Sequence, residues 1–321
     1  MPTLRFALLA TPLLFAACAS APKEEVDQKP RYGKPSVSLG ADEEVNVDNL
    51  FIRLDLAQRY WSNLQITAKD STEKHRVDEV KKDIIFRATR HQADLITALE
   101  TGPPSRRQIA AFALGFSEVR ELPSDARDSA RAHRIDPVGP LTAALQDPVP
   151  AVVANAAYAL GLLARADAPT SQLVQLLDSS PDKDVRINAS WALIRLVATG
   201  ARPEGLAAVA RRALSDEIHG VRSHAAMIIA RLGDYDSIDA LAAVLRDEKN
   251  LPAAAASRGL TSLGHSSKQH LGTCARALAG ALPDVRPAVR TWLLADLISL
   301  AGRNYGENAD EEWLRWATDL H

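Results

Sequence analysis

Apolar residues recur at helical spacing from Asn46 to near the end of the chain. Leu50, Ile52, Leu54, Leu56, Tyr60, Trp61, Leu64 and Ile66 predict one amphipathic helix, and Lys69-Asp70-Ser71 predicts its break. Residues 72–99 predict a second, more charged helical stretch carrying Val77, Val80, Ile84, Ile85 and Phe86. Upstream, residues 19–45 have no apolar period: Pro30, Gly33, Pro35 and Gly40 lead to Asp42-Glu43-Glu44, and such a segment buries too little to offset its ordering entropy.

From residue 88 onward one cadence repeats. Ala110-Ala111-Phe112-Ala113-Leu114-Gly115 parallels Ala156-Ala157-Tyr158-Ala159-Leu160-Gly161. Each follows an apolar helix and a break, at Gly102-Pro103 and Asp147-Pro148. The theme returns at Val185-Arg186-Ile187-Asn188-Ala189, at Val221-Arg222-Ser223-His224-Ala225-Ala226, from Ala255 to Gly264, and at Val289-Arg290. Aligning Arg107, Val153, Arg186, Arg222, Ala256 and Arg290 gives steps of 46, 33, 36, 34 and 34 residues, the first lengthened by a polar insert from Pro123 to Arg134.

These copies resemble the HEAT-repeat family, in the short bacterial form also found in phycobilisome lyases. The resemblance covers residues 88–302 and implies an all-α fold: an α-solenoid of about six helix hairpins, each burying its faces only against its neighbours. Residues 46–87 are then an N-terminal helical cap, and residues 303–321 a closing turn and helix. Ala110, Ala156, Ala189 and Ala225 let neighbouring helices approach. Gly115, Gly161, Gly233 and Gly264 are expected as left-handed caps ending the second helices. Asp147, Asp216 and Asp284 precede these helices, and Arg186, Arg222 and Arg290 lie in their first turns. Capping and Asp–Arg pairing would make them a structural ladder; a row binding anions is the other reading. Trp313 and Trp316, three residues apart, share a helix face that either covers the last repeat or grips a peptide. Trp191 and Trp292 are expected in the core. In the HEAT family the solvent faces of the second helices line the concave side, so the resemblance implies a protein or peptide partner there, with Arg195, Arg231 and Arg258 as candidate contacts.

Residues 1–17 have the layout of a secretory leader: Arg5, then the apolar run from Phe6 to Phe15, then Ala16-Ala17. The run is too short to span a bilayer, and Leu14-Phe15-Ala16-Ala17-Cys18 resembles a bacterial lipobox. That likeness implies export, acylation of Cys18 and attachment to a membrane through its acyl chains. With Ala19 rather than Asp next, it implies the outer membrane, facing the periplasm. Ordinary cleavage after Ala17-Cys18-Ala19 is the alternative. On the lipobox reading, residues 18–45 are the acylated Cys and a disordered tether reaching about 30 Å.

Composition narrows the chemistry. The formal charge is −2, with 38 Lys+Arg against 40 Asp+Glu, which argues against a nucleic-acid partner. Aromatics at 5% argue against sandwiches and barrels, and two cysteines against a disulfide framework or a Cys-rich metal site. His219/His224 and His265/His270 are each five apart, so neither has the i, i+4 spacing of a helical metal pair. No nucleophile elbow, Walker loop or dinucleotide fingerprint occurs. Cys274, four residues after His270, is read as core, with a reactive thiol as the alternative. The expectation is therefore no catalytic residue, no metal and no cofactor. The chain is expected to be a membrane-anchored, protein-binding scaffold of the cell envelope; a bilin-lyase-like enzyme and a structural spacer are the alternatives.

Overall fold

The computed structural model describes residues 47–117 and 135–320. The expected leader (1–17), Cys18 with its tether (18–45) and the insert from Pro123 to Arg134 lie outside the described residues. Among the described residues there are fifteen α-helices and no strand. Helix α1 spans Val47–Thr67 and α2 Ser71–Arg90. Between them Asp70 accepts a hydrogen bond from the Glu73 amide at 2.8 Å, while Glu73 accepts one from the Lys69 amide at 2.7 Å. This reciprocal cap starts α2 where the expected break lies. The stretch read as one helix over 72–99 is instead two: the backbone turns at His91, and α3 (Gln92–Thr101) begins a new hairpin.

Six hairpins follow. Their first helices are α3, α5 (Val138–Ala144), α7 (Thr170–Ser179), α9 (Leu206–Ala213), α11 (Ile238–Val244) and α13 (Lys268–Ala281). Their second helices are α4 (Pro104–Leu114), α6 (Pro150–Leu163), α8 (Lys183–Ala198), α10 (His219–Leu232), α12 (Asn250–Ser266) and α14 (Pro287–Ala301). Each second helix packs on the next, so α4, α6, α8, α10, α12 and α14 form one continuous row. Helix α1 extends that row by packing on α4, and α15 (Asp310–Thr318) closes the other end on α13. The result is an α-solenoid whose core runs unbroken from Leu50 to Ala317.

The interior positions show how the row closes up. Ala110, Ala156, Ala189, Ala225 and Ala256, the seventh residues of their helices, have no exposed surface. Three of the four glycines expected as caps serve a different purpose. Gly115 has ordinary right-handed backbone angles, and Gly161 and Gly264 lie inside helices. A Cβ on Gly115 would fall 2.7 Å from the Ala159 Cα, and one on Gly161 2.7 Å from the Ala192 Cα. These glycines are places where backbones of adjacent repeats nearly touch. Of these four, Gly233, at φ 68°, alone is a left-handed cap; α6 ends instead on left-handed Ala164 and α14 on left-handed Gly302.

The register of the fifth repeat differs from that expected of the spacing. Counting from helix starts, the position of Arg107, Arg186, Arg222 and Arg290 is the fourth residue, which in α12 is Ala253 rather than Ala256. The starts are set by the preceding turns: Asp147, Asp216 and Asp247 each accept from the amide two residues on (Val149, Ile218 and Lys249), all at 2.8 Å.

Candidate functional site

Two rows of side chains run along the solenoid. The first, at the turns, links each repeat to its successor. Arg107 donates to Asp147 through Nε at 2.7 Å and Nη2 at 3.1 Å. Arg186 grips Asp216 in the same forked way at 2.8 and 3.2 Å, and Arg222 grips Asp247 at 2.6 and 2.8 Å. Each Arg also donates Nη1 to a carbonyl of its own turn: Gly102, Ser180 and Asp216 respectively. One guanidinium thus ties two consecutive turns together. Arg290 does the same at the end of the array, bonding the Leu282 carbonyl and Asp310 at the start of α15.

Asp147 and Asp216 hold the turns rather than cap the second helices, contrary to expectation, and Asp247 does the same, because their hydrogen bonds reach the amide just before the helix. Burial alone would raise the Asp147 and Asp247 pKa values; bonds from Arg107 and Arg222, and from the turn amides, outweigh it and hold both below the ordinary carboxylate range. The row has two gaps. Val153 stands at the Arg position of the second repeat and Ser180 at the Asp position of the third, so charge is missing from both sides; Val153 packs with Ala154 and Val185 instead. Ala253 leaves Asp284 without its Arg, and Asp284 pairs with Arg246 at 2.9 Å in a solvent-exposed contact. Arg107, which spacing aligns with the other ladder arginines although it is not named among them, and Asp247, which sequence reading passes over, are also ladder members.

The second row lies on the second helices. Their ninth residues are Phe112, Tyr158, Trp191, Met227, Arg258 and Ala295. Phe112 and Tyr158 stack with centroids 5.9 Å apart, and Tyr158 and Trp191 at 4.6 Å. Trp61 of α1 continues the series edge-on to Phe116 at 5.4 Å. Thirteenth residues of α8 and α10 are Arg195 and Arg231. Arg195 lies over the Trp191 ring at 5.9 Å, and Arg231 donates to the Ile194 carbonyl at 3.1 Å. Both side chains reach solvent, and Trp191 is half-buried. Partial burial, and then the neighbouring Arg195 charge, push the Arg231 pKa below its usual value. Further along, exposed Arg258 stands near Asp296, to which the Ser257 hydroxyl donates. Burial raises the Asp296 pKa against the pull of that bond, Arg258 and His265.

Trp292, expected in the core, is 37% exposed on α14. Trp313 is the reverse: it has no exposed surface, and its Nε1 donates to the Gly306 carbonyl at 3.0 Å. It therefore cannot belong to a binding face. Trp316 meets it edge-on at 5.9 Å and is half-buried, with Tyr305 of the linker closing the cluster. These rings fasten α15 over α13.

No group of three or more His, Cys, Asp or Glu could hold a metal among the described residues. Cys274 is fully buried, and burial pushes its pKa up to about 11. His270 is turned to the Ser267 hydroxyl at 2.9 Å and stacks on Tyr235, so it does not serve as a base for that thiol. Ser190 and His224 meet at 2.8 Å in the interior, where burial lowers the His224 pKa to about 4 and keeps the ring neutral. No described helix is long and apolar enough to cross a membrane.

No curated protein matches the chain. Several solved structures are similar to it. The archaeal HEAT-like repeats protein from Thermococcus onnurineus NA1 is 15% identical, over 81% of this chain and 99% of that one, with a TM-score of 0.47. An engineered protein is 18% identical over 70% and 98%, with a TM-score of 0.47. The complex of CpcE and CpcF of phycocyanin lyase from Nostoc sp. PCC7120 is 19% identical over 90% and 99%, with a TM-score of 0.38. The family model for HEAT repeats matches residues 93–194 and 170–261, more than half of the sequence. With hairpins of that kind stacked along those same residues, the chain belongs to the HEAT-repeat family.

Proposed function

We propose that this HEAT-repeat protein is a lipid-anchored scaffold of the cell envelope: exported, acylated at Cys18, held at the outer membrane facing the periplasm, and binding a protein or peptide partner without catalysing a reaction. The observation that carries this reading is the surface row on α8, α10 and α12. There Trp191, Arg195, Arg231 and Arg258 reach solvent from one face, while the ladder at the turns and the alanine-lined interior supply the stacking. Side chains on such a face vary freely without disturbing the repeat interfaces, which is how solenoids come to bind extended partners. The lipobox-like Leu14-Phe15-Ala16-Ala17-Cys18 supports the anchor.

The test is crosslinking in native membranes followed by mass spectrometry, with metabolic labelling by a fatty-acid analogue. Reproducible partners and label that disappears in Cys18→Ser are expected. Absence of any partner after crosslinking overturns the scaffold, and unchanged membrane association of Cys18→Ser overturns the anchor.

A further inference from the structure

Arg195 and Arg231 stand at equivalent positions of consecutive second helices, close enough for the charge of one to act on the other. The ladder arginines Arg107, Arg186, Arg222 and Arg290 are all paired with aspartates. Arg195 and Arg231 are different: among the described residues, neither is in a salt bridge with a carboxylate. Arg231 is steered by one bond to the Ile194 carbonyl, and Arg195 rests over the Trp191 ring. Like charges held together repel until an anion joins them.

A second feature lies next to Trp191 and Arg195. Tyr158 is 7% exposed, and its hydroxyl, within the field of Arg195, has no hydrogen-bond partner. Buried polar groups nearly always have one, and a phenol O–H can donate to an anion. The surface therefore combines two guanidiniums without carboxylate partners and the solvent-reaching part of the Trp191 ring, next to a buried hydroxyl that lacks a partner.

We propose that Arg195 and Arg231, beside the Trp191 ring, dock the carboxylates of an acidic, extended protein segment whose flanking apolar residue packs on that ring. This rests on the scaffold reading and names the chemistry of its partner. Guanidinium forks match carboxylate geometry through paired hydrogen bonds. A polyanion such as nucleic acid suits the face less well, because half-buried Asp296 of α14 lies near Arg258 and the whole chain is slightly acidic.

The full chain, purified in detergent, is titrated into a fluorescein-labelled peptide of sequence Leu-Glu-Glu-Leu-Glu-Glu at low ionic strength and followed by fluorescence anisotropy. Binding at least about tenfold tighter than to the Gln counterpart is expected, and the paired change Arg195→Gln with Arg231→Gln is expected to remove that advantage. Arg246→Gln, on the exposed turn pair, is expected to leave it intact. Should the paired variant fail to fold by circular dichroism, Arg195→Glu is compared with Arg195→Lys, and only the lysine keeps the preference. Equal binding of the Glu and Gln peptides, or a paired variant that binds like the parent, overturns the proposal. So does tighter binding of a short oligothymidylate through the same two residues, or displacement of the peptide by an equal concentration of inorganic phosphate. Membrane crosslinks that persist unchanged in the paired variant sink this docking site while leaving the scaffold standing; loss of all crosslinks in the parent sinks the scaffold itself.

Discussion

The rings of Tyr158 and Trp191 lie stacked across the junction of α6 and α8, centroids 4.6 Å apart and 26° from parallel. Each is the ninth residue of its helix, so the repeat itself brings them into register, and Phe112 extends the stack to a third helix. Directly beneath, Gly161 leaves room for Trp191: an added Cβ would stand 2.6 Å from its ring. Aromatic stacking and backbone approach are thus two sides of one contact. It joins the array's aromatic end to the pair of arginines that follows.

Trp191→Ala is expected to destabilise the array by about 2–4 kcal/mol, somewhat less than for a fully buried indole, since the ring is half-buried. Tyr158→Phe is expected to be neutral or stabilising, because it removes a buried hydroxyl that has no partner. Urea melts measure both; a clear loss for the phenylalanine would show that the hydroxyl is bonded after all.

Gly161→Ala has two opposed effects. Alanine favours a helix by about 1 kcal/mol over glycine, but overpacking a tight contact costs about 1–3 kcal/mol. With the Ala192 Cα at 2.7 Å, the clash is expected to win and Tm to fall. At Gly280 in α13 a Cβ meets nothing within 4 Å, so Gly280→Ala should raise Tm. Comparable shifts of one sign at both sites would refute the close-approach account.

A double-mutant cycle on Arg222 and Asp247 is expected to give a coupling energy of about 1–3 kcal/mol. Their side chains are only 11% and 8% exposed and joined by two hydrogen bonds. The same cycle on Arg246 and Asp284, at 45% and 60%, should give under about 1 kcal/mol, since solvent screens it. Equal couplings at the two sites would mean that the forked ladder adds nothing to an ordinary surface pair.

Stability should decline on acidification in two stages. The His224 pKa is near 4 in the folded state against about 6.5 unfolded, so between those values the unfolded chain binds more protons. Stability is therefore lost as pH falls from about 6.5 towards 4, and His224→Gln should flatten that part of a Tm–pH profile. Asp147 and Asp247 are depressed when folded, so their contribution, present above the ordinary carboxylate range, is lost below it. A profile unchanged by His224→Gln between pH 6.5 and 4 would contradict the first stage.

Cys274 is expected to resist thiol reagents in the native protein and to react only on unfolding, because it is buried and its pKa is raised to about 11. Native labelling at the rate of a free thiol would show that α13 opens.

The hairpin repeat, the all-helical class and the small residues of the interior were legible in the sequence, since burial against identical neighbours imposes one pattern on every copy. Ala110, Ala156, Ala189 and Ala225 stand out because a stacked helix row demands small residues at one register. What misled was degeneracy within a copy. Ala253 to Ala256 offers four interchangeable alignments, and Leu263-Gly264 imitates Leu160-Gly161. Only the turn hydrogen bond from Lys249 to Asp247 sets the start of α12. A glycine in the sequence shows that a residue lacks a side chain, not whether a neighbouring backbone or a left-handed turn is the reason, so Gly115, Gly161 and Gly264 resemble caps there. Partner choice was equally hidden. Spacing placed Arg186 and Asp216 on a recurring theme, but which turn faces which guanidinium depends on how one repeat sits on the next. The same holds for the burial of Trp313, the exposure of Trp292, and the pairing of Arg195 with Arg231. Local periodicity determines which residues share a face; the stacking of repeats decides what that face meets.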